Sequence, residues 1–126
     1  MAMTEEDVLT LADRFISAVA AGDLDTVRSI YAPDAEIWNN YMRKTQNVDE
    51  NLATLKWMTT SVKNVRYDDI RCITTSEGYV DQHVLLGTGT SVAELELPAC
   101  LSVKVENGRV KKLEEYFDSA ALSALQ

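Results

Sequence analysis

The chain is poor in the residues that staple, break or coordinate a fold: among 126 residues there are two cysteines, two prolines, five glycines and one histidine. Cys72 and Cys100 stand apart in apolar strand contexts without ligand spacing, so each is expected to be a reduced, buried thiol rather than half of a disulfide. One histidine cannot build an H-x-x-x-H site and no C-x-x-C is present, so no metal is expected. The glycines are dispersed, which excludes a phosphate-cradling loop, and there is no G-x-S-x-G elbow for a serine nucleophile. No cofactor is expected. Basic residues are short too: twelve against twenty acidic ones leave a net charge of -8, which disfavours nucleic acid and anionic membrane as partners. No apolar run approaches the roughly 20 residues of a membrane span, and "MAMTEEDVLTLADRF" is acidic where a secretory signal needs positive charge. A cytoplasmic protein is expected.

What remains is 46% hydrophobic and 25% charged, in a length that suits one domain over residues 1–126. Val8, Leu11, Ala12, Phe15, Ile16 and Val19 recur at helical spacing behind Thr4 as N-cap, so a helix is read from Glu5 to Ala21, ended by Gly22. Asp23 caps a second helix carrying Leu24, Val27, Ile30 and Tyr31, with Pro33 as its stop. "AEIWNNYM" reads as a short strand and Val48 to Ser61 as a third helix with Leu52, Leu55 and Trp57. Beyond Val65 the period becomes two, giving strands from Arg66 to Thr74, Tyr79 to Leu86, Ala93 to Val105 and Arg109 to Phe117. Asn107-Gly108 supplies the positive φ angles of a tight hairpin between the last two. Helices first and consecutive strands later predict an α+β domain with the helices on one face of a largely antiparallel sheet.

"RFISAVAAGDLDTVRSIYAPDAEIW" at the front and "VKVENGRVKKLEEYFDSAALSAL" at the back resemble the SnoaL-like group of the nuclear-transport-factor-2-like superfamily. The resemblance implies a cone-shaped, cystatin-like fold whose curved sheet wraps an apolar pocket. Its relatives include ketosteroid isomerases, scytalone dehydratases, limonene-epoxide hydrolases and polyketide cyclases, as well as proteins with no known catalysis, so the fold alone fixes no activity. Ketosteroid isomerases carry a tyrosine, an aspartate base and a proton-donating aspartic acid where this chain has Phe15, Asn39 and Leu101. Phe and Leu can neither take nor give the proton, so that activity is not expected. Limonene-epoxide hydrolases are matched in part, with Trp38, Asn39 and Asn40 near their first-strand pair and Glu115 at their last-strand acid, but the middle strand offers Asp81, Gln82 and His83 without the arginine.

Alternation puts Tyr79, Asp81, His83 and Leu85 on one strand face and Val80, Gln82, Val84 and Leu86 on the other, without saying which is inside. Laid on the family pattern by Gly87-Thr88, the first set faces the pocket. Leu113, Glu115 and Phe117 then point inward from the last strand, and Leu97, Ala99, Leu101, Val103 and Val105 from the one before. Asp81 and His83 lie about 7 Å apart at Cα on a regular strand, close enough for their side chains to meet. His83 is the candidate general acid/base, Asp81 its orienter or a second base, and Glu115 a third catalytic group. Asn39, Phe15, Tyr31, Trp57, Tyr79, Leu101, Val103 and Phe117 are candidate substrate contacts. The plainer reading of each stays open: a satisfied core or solvent-facing His83, a solvated Asp81, a Glu115 paired outward with Lys111 or Lys112, an Asn39 that only shapes a turn, and helix aromatics that are core. The expected function is cofactor-independent acid/base chemistry on an apolar, oxygen-bearing ligand, as a cyclase, dehydratase or hydrolase. The alternative is a non-catalytic dimeric module that binds a hydrophobic ligand or a protein partner. A homodimer is expected through the outer face at Val80, Val84 and Leu86, because that face would otherwise be an exposed apolar patch.

Overall fold

Side chains at the helix ends fix where each helix begins. The computed structural model describes residues 3–89 and 94–125. At the head of α1 (Glu5–Ala21), Thr4 Oγ1 accepts from the Asp7 N–H at 3.1 Å while the Asp7 carboxylate accepts from the Thr4 N–H at 3.0 Å, so two otherwise orphaned donors are satisfied. Gly22 closes the helix in the left-handed region at φ 70, and Asp23 Oδ1 at once accepts from Thr26 N–H to open α2 (Leu24–Ile30). Asn47 and Glu50 form the corresponding reciprocal pair ahead of α3 (Val48–Ser61).

Five strands follow the expected order with shifted ends: β1 (Tyr31–Asn39), β2 (Lys63–Thr74), β3 (Gly78–Thr88), β4 (Glu94–Glu106) and β5 (Arg109–Phe117), before a short 3-10 helix, Ser119–Leu125. Ala93, read as the first residue of β4, lies outside the described residues. Two expectations are corrected at β1. Tyr31 is extended, at φ -73 and ψ 139, and starts the strand instead of ending α2. Pro33 lies within β1 and not in a helix stop, which an edge strand tolerates because its register with β5 slips between Tyr31 and Glu36. Residues 40–42, read as strand, turn instead, because Asn39 Oδ1 accepts from the Tyr41 and Met42 N–H groups at 3.1 and 2.8 Å.

The sheet order is β1-β5-β4-β3-β2, antiparallel except where β1 runs parallel to β5. Asn107 and Gly108 make the β4–β5 turn at φ 54 and 76. On the inner face lie α1, packed on β2 and β3, and α3, packed mainly on β1. The core between them is Phe15, Ile16 and Val19 of α1, Val27 and Ile30 of α2, Leu52 of α3, and Leu101, Val103, Val110 and Leu113 of the strands. Burying side chains of this size contributes about 1.5–3 kcal/mol each, which is what holds the helices to the sheet.

Strand β2 is broken twice in register, between Lys63 and Arg66 and between Asp68 and Arg71, with Asn64 and Asp69 at φ 55 and 50. Each extra residue inverts the alternation. Cys72, after the second bulge, pairs with Asp81 on the inner face, and before that bulge it is Tyr67, paired with Leu85, that faces inward, while Ile70 and Ile73 are exposed outside.

Gly78 opens β3 against the backbone of β4: a Cβ there would lie 2.0 Å from the Val103 carbonyl oxygen. Gly78→Ala is therefore expected to destabilise the fold by at least about 1–3 kcal/mol, read from the urea unfolding midpoint. An unchanged midpoint would mean that the strands part there at no cost.

Candidate functional site

Between the concave sheet face and helices α1 and α3 is a cavity of about 460 Å³, the size of a small organic ligand. Most of its wall is apolar: Phe15 and Val19 of α1, Leu55 and Met58 of α3, and Leu95, Leu97 and Leu101 of β4. The polar groups are few and come mainly from strands.

Register gathers them. One row crosses the whole sheet, from Asn39 on β1 through Glu115 on β5, Leu101 on β4 and Asp81 on β3 to Cys72 on β2, and neighbours in a row share a face. The next row on the same face is Phe117, Ala99 and His83. His83 and Glu115 therefore project from strands two apart, roughly 10 Å between backbones, with the methyl of Ala99 and the side chain of Leu101 between them.

Asp81 and His83 are both buried, 1% and 4% exposed, and His83 Nδ1 lies 3.2 Å from Asp81 Oδ1. With Asp81 Oδ1 as the acceptor, Nδ1 carries the hydrogen of this bond and Nε2 is the free nitrogen. Nε2 has no hydrogen-bond partner among the described residues, and His83 lines the cavity. The edge of one ring meets the face of the other where His83 touches Tyr67, with centroids 4.7 Å apart at 88°. Tyr67 also lines the cavity, and burial together with the charges of Glu115 and Asp81 keeps its phenol protonated, as a donor. Glu115 is partly buried on the cavity wall, and its carboxyl has no partner among the described residues. Loss of water around it raises its pKa, and the nearby His83 opposes that rise. A neutral chain completes the polar lining: Tyr31 Oη donates to Asn51 Oδ1 at 2.7 Å, and Asn51 Nδ2 to Gln46 Oε1 at 3.4 Å.

Of the residues singled out in the sequence, His83, Glu115, Asn39, Phe15, Tyr31, Leu101 and Phe117 line this cavity. Asp81 stands behind His83 and does not line it. Tyr79 and Val103, expected as contacts, are corrected: they pair with each other on the far side of the Asp81–Leu101 row from His83, and there they belong to the core with Phe15 and Ile16 of α1. The Tyr79 hydroxyl is the one buried side-chain polar atom without a partner among the described residues. Trp57 also lines the cavity, at its rim, where it is 55% exposed. Asn39 presents a divided group, since its Oδ1 holds the following turn and only its Nδ2 is free for a ligand. Cys72 and Cys100 are free and half-buried, and burial followed by the Asp81 charge pushes the Cys72 thiol up to about 11. Tyr67 and Asn51 were missed. The bulge that turns Tyr67 inward leaves no trace in alternation, and Asn51 sits on a helix face read for its apolar residues.

The model of the SnoaL-like domain matches residues 12–113. No match is found among curated proteins. Among solved structures, an NTF2-like protein from Burkholderia xenovorans LB400 is similar at 19% identity, with 99% of this chain and 100% of that one covered and a TM-score of 0.81. PrhC from Penicillium brasilianum NBRC 6234 is similar at 14% identity, 96% and 86% covered, TM-score 0.85. A candidate polyketide cyclase from Xanthomonas campestris pv. campestris is similar at 16% identity, 97% and 98% covered, TM-score 0.84. At these identities the likeness is one of fold.

The raised pKa of Glu115 has a consequence for stability. Below the ordinary glutamate range the group is protonated in both the folded and the unfolded chain. As pH rises, the unfolded chain ionises first, so the contribution of Glu115 to stability is lost progressively until the folded carboxyl ionises too. Glu115→Gln, which cannot ionise, is expected to gain stability relative to the parent across that interval and to hold a constant advantage above it. Urea unfolding measured from acid to neutral pH checks this, and a parent-to-variant difference that does not vary with pH would show that the carboxyl is as well solvated folded as unfolded.

Proposed function

Because the chain belongs to the SnoaL-like family, we propose that it is a cofactor-independent enzyme that moves protons on an apolar, oxygen-bearing small molecule held in the cavity. One observation carries this reading: an imidazole paired through Nδ1 to a buried carboxylate, with its other nitrogen unpartnered on the wall of an apolar, ligand-sized space. In that arrangement Asp81 holds the tautomer, and Nε2 of His83 takes a proton from a carbon acid, a hydroxyl or a water. Once protonated, the imidazole of His83 can return the proton to a departing or carbonyl oxygen, Tyr67 is suited to donate a hydrogen bond to the charge that develops there, and Glu115, its pKa raised by loss of water, faces the same space as a second titratable group. Leucines and phenylalanines around these groups exclude water, which strengthens each of these interactions. Cyclisation, dehydration and water addition each need a proton taken and a proton returned, which this set of groups can supply. Isomerisation in the manner of ketosteroid isomerases lacks support, since Phe15 and Leu101 supply no proton at the positions where that chemistry requires one.

A second reading, a dimeric module that only holds a hydrophobic ligand or a protein partner, draws on the outer sheet face. There Ile73 and Tyr116 are 64% and 56% exposed, beside half-buried Val80, Val84 and Leu86. The dimer itself is compatible with either reading, and we propose it for both.

With a cognate substrate, His83→Ala is expected to lower kcat by about a hundredfold or more with a smaller change in KM, and turnover within about threefold of the parent would refute the proton role. Sedimentation equilibrium at micromolar concentration is expected to give twice the chain mass of 14.0 kDa, and a single species of that mass would remove the dimer.

A further inference from the structure

The cavity is charged with one sign only. No lysine or arginine lines it among the described residues, whereas Glu115 opens on it and Asp81 stands directly behind His83. His83 is the only group there able to carry positive charge, and its Nδ1 is already committed to Asp81. The Glu115 carboxyl is left without a donor. Aromatic side chains line the same space: Phe15 and Tyr31, which are buried, half-buried Tyr67, and the exposed Trp57 and Tyr41. The titratable groups facing Glu115 are His83 from β3, with Asp81 behind it, Tyr67 from β2 and Tyr31 from β1, while the cavity-lining residues of β4, α1 and α3 offer none.

A carboxylate without a donor, in an apolar space walled by aromatic rings, is complementary to an organic cation. An ammonium group would supply the opposite charge that Glu115 lacks, and its hydrocarbon substituents would meet the ring faces, where a cation is attracted by the π electrons. An anionic ligand would meet two carboxylates and no fixed cation. A neutral ligand would leave Glu115 to take up a proton instead.

We propose that the cavity binds an apolar amine as its ammonium ion, with Glu115 as the counter-ion. This rests on the reading of the cavity as the substrate site, and adds the charge of the molecule bound there. The reacting oxygen lies toward His83 and the nitrogen toward Glu115, so that one carboxyl holds the substrate and the imidazole moves the proton.

Isothermal titration near neutral pH with three probes of one shape decides the matter: a cycloalkylmethylamine, the corresponding alcohol and the corresponding carboxylate, each against the parent chain and Glu115→Gln. The amine is expected to bind the parent at least about tenfold tighter than the alcohol, and the carboxylate to show no binding. Glu115→Gln is expected to lose that tenfold preference while its affinity for the alcohol stays within about twofold. Amine binding should also release protons, seen as heats that differ between buffers of different ionisation enthalpy, because pairing shifts Glu115 to its charged form. Equal binding of amine and alcohol by the parent, or an amine affinity that survives Glu115→Gln, overturns the counter-ion and leaves the cavity as a ligand site. Binding of none of the three by the parent overturns the reading of the cavity together with it. Should the variant fail to fold, the comparison of the three probes on the parent decides alone.

Discussion

An imidazole can be kept among leucines only if one of its nitrogens is satisfied there. The contact between His83 Nδ1 and Asp81 Oδ1 meets that requirement from two residues away on the same strand face. The pair is local in sequence yet wholly enclosed in three dimensions, because α1 lies across β2 and β3 and shuts out solvent. The other polar features of the cavity follow from it. Once Nδ1 is engaged, the free nitrogen lines the cavity, Tyr67 is ordered against the ring, and Glu115 feels a nearby imidazole instead of bulk water.

The division of labour between layers has a physical basis. Strands hold side chains at fixed spacings of about 4.8 Å across the sheet, so groups in one register row keep their mutual geometry. The titratable groups lie on that lattice, from Glu115 through Leu101 to Asp81, with His83 one row along. The helices contribute chiefly shape and dryness: Phe15, Val19, Leu55 and Met58 can vary in volume without moving a titratable group. This is how one fold can serve unrelated chemistries, and why similarity at under 20% identity to cyclase-like and NTF2-like structures speaks for the fold while the site speaks for function.

Much of the fold was legible. Thr4, Gly22 and Asp23 act through caps that span three or four residues, and Asn107-Gly108 through the φ angles of its own backbone, so the helix starts, the corner and the hairpin could be read from short strings. Errors gathered where the deciding partner was distant. Tyr31 continues a helical apolar pattern, but its place in β1 is settled by pairing with Val110, far along the chain. Trp57 fits the apolar face of α3 by spacing and does line the cavity, but that solvent reaches 55% of it depends on how α3 sits on the sheet.

The sequence by itself determined the element types, their order and the pairing of an acid with a histidine two residues on, because each of these depends on periodicities and caps that act within a few residues. Only the tertiary structure decided which residues share a cavity. Tyr67 enters it because a bulge near Asp69 inverts the facing of β2, and Tyr79 and Val103 are lost from it because their row lies beyond Asp81 and Leu101, in the core with α1. Glu115 comes to face His83 through two strand registers that join positions more than thirty residues apart, and no local pattern carries that information.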